Sequence, residues 1–189
     1  MYTQREPNPT DTKKILPAPL QGFFNQFLSV VRAALLHPRQ FFDSMPESGG
    51  MRDPLMFYLC AAGVNALMVG IMTFSWTALG LTFLSSLAAV FVGAAIAMLL
   101  AQSMGGKGQW EASFRVFAYG GVCLLLSWVP IVGMAAVLYM WALIYFGLKK
   151  VTGLSDVKTV AVAMLSGILT CLVIALAAIG FFVHTWLHF

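Results

Sequence analysis

The sequence predicts an all-α polytopic membrane protein, with five transmembrane helices preceded by a cytoplasmic amphipathic interfacial helix. Three observations predict it: apolar runs of spanning length, their near freedom from charge, and the one-sided placement of every Lys and Arg. Of the 189 residues, 60% are hydrophobic and 10% are charged. A soluble domain carries roughly 25% charged residues, so this chain lacks the polar surface to face water all round. Where no water reaches the backbone, amides must be satisfied internally, and runs of this length should be helices.

The first residues, 1–19, are polar and proline-rich and read as a disordered cytoplasmic tail. They hold no continuous apolar region beside a cleavage site, so no secretory signal is expected. Residues 20–52 read as an amphipathic helix followed by a short second turn. Phe23, Phe24, Phe27, Leu28, Val31, Leu35 and Leu36 recur at helical spacing, while Gln21, Asn25, Gln26, Ser29 and Arg32 take the other face. Such a helix suits the membrane interface or the mouth of a bundle. Pro38 opens the second turn, with Phe41 and Phe42 as apolar anchors.

Residues 53–189 form the predicted bundle, with apolar runs at about 54–76, 78–104, 112–128, 130–148 and 157–186. A span needs about 20 residues to cross a core of roughly 30 Å. The third and fourth runs are short, and together they are too long for one crossing, so a tight helical hairpin is expected at Trp128 to Gly133. With five spans, Arg5, Lys13, Lys14, Arg32, Arg39, Arg52, Lys107, Arg115, Lys149, Lys150 and Lys158 all fall on one side. Positive charge marks the cytoplasmic face, which puts the N-terminus inside and the C-terminus outside, and the short loops and lean tail are those expected of a multi-pass protein of a bacterial inner membrane.

The stretch "SMGGKGQWEASFRV" over 103–116 is the polar break between the second and third runs. "GGKG" lacks P-loop spacing and no strand precedes it. Gly105 and Gly106 suit a helix C-cap, Lys107 suits lipid phosphates, and Trp110 suits the interface belt. Glu111 and Arg115 are an i,i+4 pair, with lipid phosphate as the other reading of Arg115. His184 and His188 share one helical face at metal-ligand spacing, but no acidic or Cys partner lies on that side to complete a site.

The spans hold no acidic or basic residue at a central position, which argues against a proton-driven transporter. Asn65, Ser85, Ser86 and Gln102 remain as polar residues that could line a passive path, although such groups more often bond between helices. Ala62, Ala66 and Gly70, with Ala89, Gly93 and Ala97, form small-residue stripes expected to pack the first two spans together. Cys60, Cys123 and Cys171 all lie in apolar runs without metal or disulfide spacing. No loop carries paired carboxylates, a nucleophile elbow or a Cys/His dyad, so neither an enzyme nor a cofactor is expected.

Ordered landmarks then carry a resemblance. "HPRQFF" (37–42) precedes the first span, "GGKGQW" (105–110) and "FRVFAY" (114–119) follow the second, Pro130 sits in an outer turn, and "FGLKKVTGLSDVKTV" (146–160) leads into the fifth. Together they resemble the Yip family, the Ypt/Rab-interacting-protein domain proteins, in a bacterial-type form. The resemblance implies five spans with a cytoplasmic N-terminus. Eukaryotic members of the family act in vesicle trafficking with Rab-type GTPases and with one another. The family's acidic-Leu-Tyr-Gly-Pro motif is echoed here by Asp53, Pro54 and Leu55, and its glycine-tyrosine motif stands reversed as Tyr119–Gly120.

The expected function is a non-enzymatic membrane organiser or adaptor, whose partners are membrane lipids, further copies of itself or other membrane proteins. No nucleic-acid partner is expected. Its binding surfaces would be Phe23, Phe24, Phe27, Phe41 and Phe42, with the loop around Lys107, Trp110 and Arg115. The alternative is a small passive transporter or channel lined by Asn65, Ser85, Ser86 and Gln102.

Overall fold

The computed structural model describes residues 18–46 and 48–187, and within them the side chains of 22, 24–46 and 48–179. Most of the tail, the side chains of Phe23 and His184, and all of His188 lie outside the described residues. Helices run in the order α1 (Ala18–Leu36), α2 (Pro38–Ser44), α3 (Arg52–Thr73), α4 (Trp76–Ser103), α5 (Trp110–Gly120), α6 (Leu124–Ser127), α7 (Pro130–Thr152) and α8 (Asp156–Leu187). No strand occurs among the described residues.

Local chemistry explains the boundaries. Pro38 and Pro130 open α2 and α7, where a missing N–H leaves no bond unmade. Between α3 and α4, Phe74 takes the left-handed conformation at φ 48 and Ser75 caps α4, its Oγ accepting from the Ala78 amide at 3.2 Å. Gly105 at φ 83 and Gly153 at φ 65 follow α4 and α7, where a left-handed residue closes the last turn.

Four helices are long and apolar enough to cross a membrane: Arg52–Thr73, Trp76–Ser103, Pro130–Thr152 and, within α8, Asp156–Ile179. Five such helices were expected. The third apolar run is instead divided, because α5 gives way to a 3-10 turn at Gly121–Cys123 before the single turn of α6. The Tyr58 ring lies against Gly121, where an added Cβ would stand 2.5 Å from it. The close approach of α3 is made at this break.

The core is built from small residues and a few large ones. Ala61, Ala62, Ala94, Ala97, Ala101, Ala112 and Ala118 are fully buried, and Phe114, Leu143, Leu148, Val116 and Val162 fill the space between them. The two small-residue stripes do not simply face each other. A Cβ on Gly93 would meet Phe117 of α5 at 2.8 Å and Thr170 of α8 at 3.4 Å, so part of the α4 stripe receives the later helices. Outward-facing residues are apolar along the long helices, among them Leu67, Ile71, Leu84, Leu138 and Ile168, the exterior that hydrocarbon requires. On α8, every side chain from Cys171 to Ile179 except Ile174 is exposed.

Candidate functional site

One end of the bundle gathers the polar loops. The amide of Lys107 donates to the Thr152 carbonyl at 2.9 Å, and Lys158 Nζ donates to the Met104 carbonyl at 3.0 Å. The loops after α4 and after α7 are therefore joined. Gln102 Nε2 donates to the Gly108 carbonyl at 2.9 Å, closing the first of them on itself. A Cβ on Gly106 would stand 2.8 Å from Leu154, so "GGKG" is packed between neighbours and its amides do not form an open cradle. Lys107 points outward, and Trp110 is half-buried with its ring 6.1 Å from that of Phe114.

Arg115 turns away from the surface. Its side chain is 5% exposed, with Nη2 3.2 Å from Glu111 Oε1. Nη2 also donates to the Gly50 carbonyl at 2.7 Å, and Nη1 donates to the Pro46 carbonyl at 3.1 Å. Glu111 Oε1 in turn accepts from the Gly50 amide at 2.5 Å. The pair thus locks the segment after α2 onto α5. Gly49 and Gly50, at φ 134 and 91, supply backbone shapes that a Cβ would oppose. The Gly-Gly pair ahead of α3 and the i,i+4 pair in α5 are both visible in sequence, but nothing in their spacing links them across more than 60 residues.

Of the two surroundings expected for the aromatic anchors, membrane interface and bundle mouth, the bundle takes most of them. Phe42 is 1% exposed. Phe27 lies 5.0 Å from Phe57, Phe57 5.5 Å from Tyr119, Tyr119 5.2 Å from Phe41, and Phe41 5.3 Å from Phe42, measured between ring centroids. This row knits α1, α2, α3 and α5 together. Tyr139 on α7 adds a hydrogen bond to the Leu35 carbonyl at 2.7 Å. Phe27, Phe41, Phe42 and Arg115 therefore hold a cap on the bundle, whereas Phe24, at 54% exposure, faces outward. Amphipathic spacing reveals that a face is apolar, not whether lipid or protein covers it.

A family model described as the Yip1 domain matches residues 32–179. The chain belongs to the Yip1 domain family. No curated protein and no solved structure matches it. The Yip1 match and the long apolar helices make it a multi-pass membrane protein. The matched Yip1 stretch contains the whole Arg115 lock, both joined loops and all of α2.

The polar residues inside this Yip1 domain do not share one space. Asn65 Oδ1 accepts from Ser127 Oγ at 2.9 Å, tying α3 to α6. Ser85 Oγ donates to the Thr82 carbonyl within α4 at 3.1 Å, and Gln102 serves the loop already described. Only Ser86 among the four borders a cavity of about 190 Å³, whose other walls include Val90, Phe117, Trp141 and Ile144. Tyr58 Oη donates to the Ser86 carbonyl there at 2.6 Å. Among the described residues, no three His, Cys, Asp or Glu side chains gather as a metal site.

Proposed function

We propose that this Yip1 domain protein is a non-enzymatic membrane organiser or adaptor, crossing the membrane five times with its N-terminus cytoplasmic, in a bacterial inner membrane. Its docking face is the basic end, where Phe24, Lys107 and Trp110 meet partner membrane proteins, another copy or lipid headgroups. Phe27, Phe41, Phe42 and Arg115 support that face from beneath. The Arg115 lock carries this reading, since a buried cation bound to two backbone carbonyls and a carboxylate makes the cap one rigid body with α5.

Two features support the fifth crossing. Helical and 3-10 turns from Trp110 to Ser127 have a combined rise of about 27 Å at roughly 1.5 Å per residue, close to the hydrocarbon thickness. Ser127 also meets Asn65, well along α3 from the basic end. The gathering of Lys107, Lys149, Lys150 and Lys158 around joined loops fits the rule that positive charge stays inside. The passive-channel alternative finds less support, because Asn65, Ser85, Ser86 and Gln102 lie at separate places and do not share one space.

A photo-crosslinking residue at Trp110 in living cells tests the reading. One dominant membrane-protein partner is expected, with capture weakened by Phe24→Ser. Capture of lipid alone, unchanged by that substitution, would remove the adaptor role.

A further inference from the structure

Beside the docking face, and lined by residues that are not part of it, a cleft of about 430 Å³ lies between α2 and the end of α7. Arg39 and Asp43 come from α2, and Tyr145, Phe146, Lys149 and Lys150 from α7. Arg39 is held over the Phe146 ring, 5.3 Å from its centroid, which steers the guanidinium toward the cleft at little entropic cost. Lys149 pairs with Asp156, which also accepts from Tyr145 Oη at 2.9 Å. Arg39 and Lys150 have no carboxylate at ion-pair distance among the described residues. The two lysines stand in the last turn of α7, where a spanning helix reaches the headgroups.

We infer that this cleft binds the phosphate of an anionic phospholipid, held by Arg39 and Lys150 and oriented by the Lys149–Asp156–Tyr145 set. Asp43 sets a limit on charge and favours one phosphate over a crowded polyanion. A free phosphate shares that chemistry, but the surface beneath the cleft selects a lipid. Counting back from Lys149 at helical spacing, Tyr145, Ala142, Leu138, Ala135 and Ile131 follow one stripe of α7. Leu138, about 16 Å below Lys149 at roughly 1.5 Å per residue, is 72% exposed, so an acyl chain can follow the upper part of the stripe directly below its own headgroup. Basic pockets between helices are where headgroups are recognised, and a tyrosine there suits the interface.

The test is binding of fluorescent phosphatidylglycerol to the purified full-length chain in detergent, with matched phosphatidylcholine as reference. Phosphatidylglycerol should bind more tightly, and Lys150→Gln should weaken it about fivefold, since each basic residue near a headgroup contributes about one such factor. Adding Arg39→Gln should weaken it about 25-fold in total, by the same factor taken twice. Arg52→Gln, at an exposed basic residue that opens α3 outside both the cleft and the docking face, should leave it unchanged. Equal binding by Lys150→Gln and the natural chain, or equal loss with Arg52→Gln, would overturn the cleft. Displacement by inorganic phosphate at concentrations like those of the lipid would reassign the site to a soluble anion and overturn the lipid. If Arg39→Gln lowers helicity, the Lys150→Gln comparison decides alone. Capture at Trp110 is independent of these outcomes, so either reading can fail without the other.

Discussion

Arg115 shows how one side chain can fix the relation between segments far apart in sequence. Its guanidinium reaches the Pro46 and Gly50 carbonyls through different nitrogens, and Glu111 both pairs with it and accepts from Gly50. The planar fork makes this geometry, and a single ammonium cannot span both carbonyls. Arg115→Ala should cost on the order of 2 kcal/mol, because it removes charge-assisted hydrogen bonds to the Pro46 and Gly50 carbonyls and to Glu111. Arg115→Lys should recover no more than about half of that. Thermal unfolding of the purified protein in detergent reads both. A lysine variant as stable as the natural chain would mean that charge alone, and not the fork, is what the segment needs.

Among the helices, glycine positions separate packing from propensity. A Cβ on Gly167 of α8 would fall inside the Trp141 ring of α7, while one on Gly63 of α3 meets nothing within 4 Å. Gly167→Ala should therefore destabilise by about 1 to 3 kcal/mol through overpacking. Gly63→Ala should be neutral or stabilise by up to about 1 kcal/mol through helix propensity. Comparable melting shifts for the two would show that the α7–α8 contact gives way without cost. The same contrast explains what the sequence could reveal. Long apolar runs are local, so the all-α membrane class was legible from them. Phe27, Phe41 and Phe42 were legible as an apolar face, yet their cover is Phe57 and Tyr119, which no local pattern names. The division of the third run at Gly121 was missed because no local pattern marks it, and the ring packed there, Tyr58, comes from more than 60 residues away. Arg39, Lys149 and Lys150 were read for orientation alone, since their meeting at one cleft requires α2 to dock on α7.

For the whole molecule, the five-crossing arrangement makes a labelling prediction. Single cysteines at Lys107 and at Pro130, in a background lacking Cys60, Cys123 and Cys171, should react with impermeant reagents from opposite faces of the membrane. Reaction from one face would leave four crossings and return α5 and α6 to the same side as the loops they join. The helices that would cross are unequal: α3 has 22 residues and α7 has 23, but α4 has 28 and α8 has 32. At roughly 1.5 Å per residue, α8 is about 48 Å long against a hydrocarbon core of roughly 30 Å. Hydrophobic mismatch of this size is relieved by tilting the long helices or by locally thickening the bilayer. With α3 and α7 matched to an ordinary core, α4 and α8 must lean against them or carry their ends out among the headgroups.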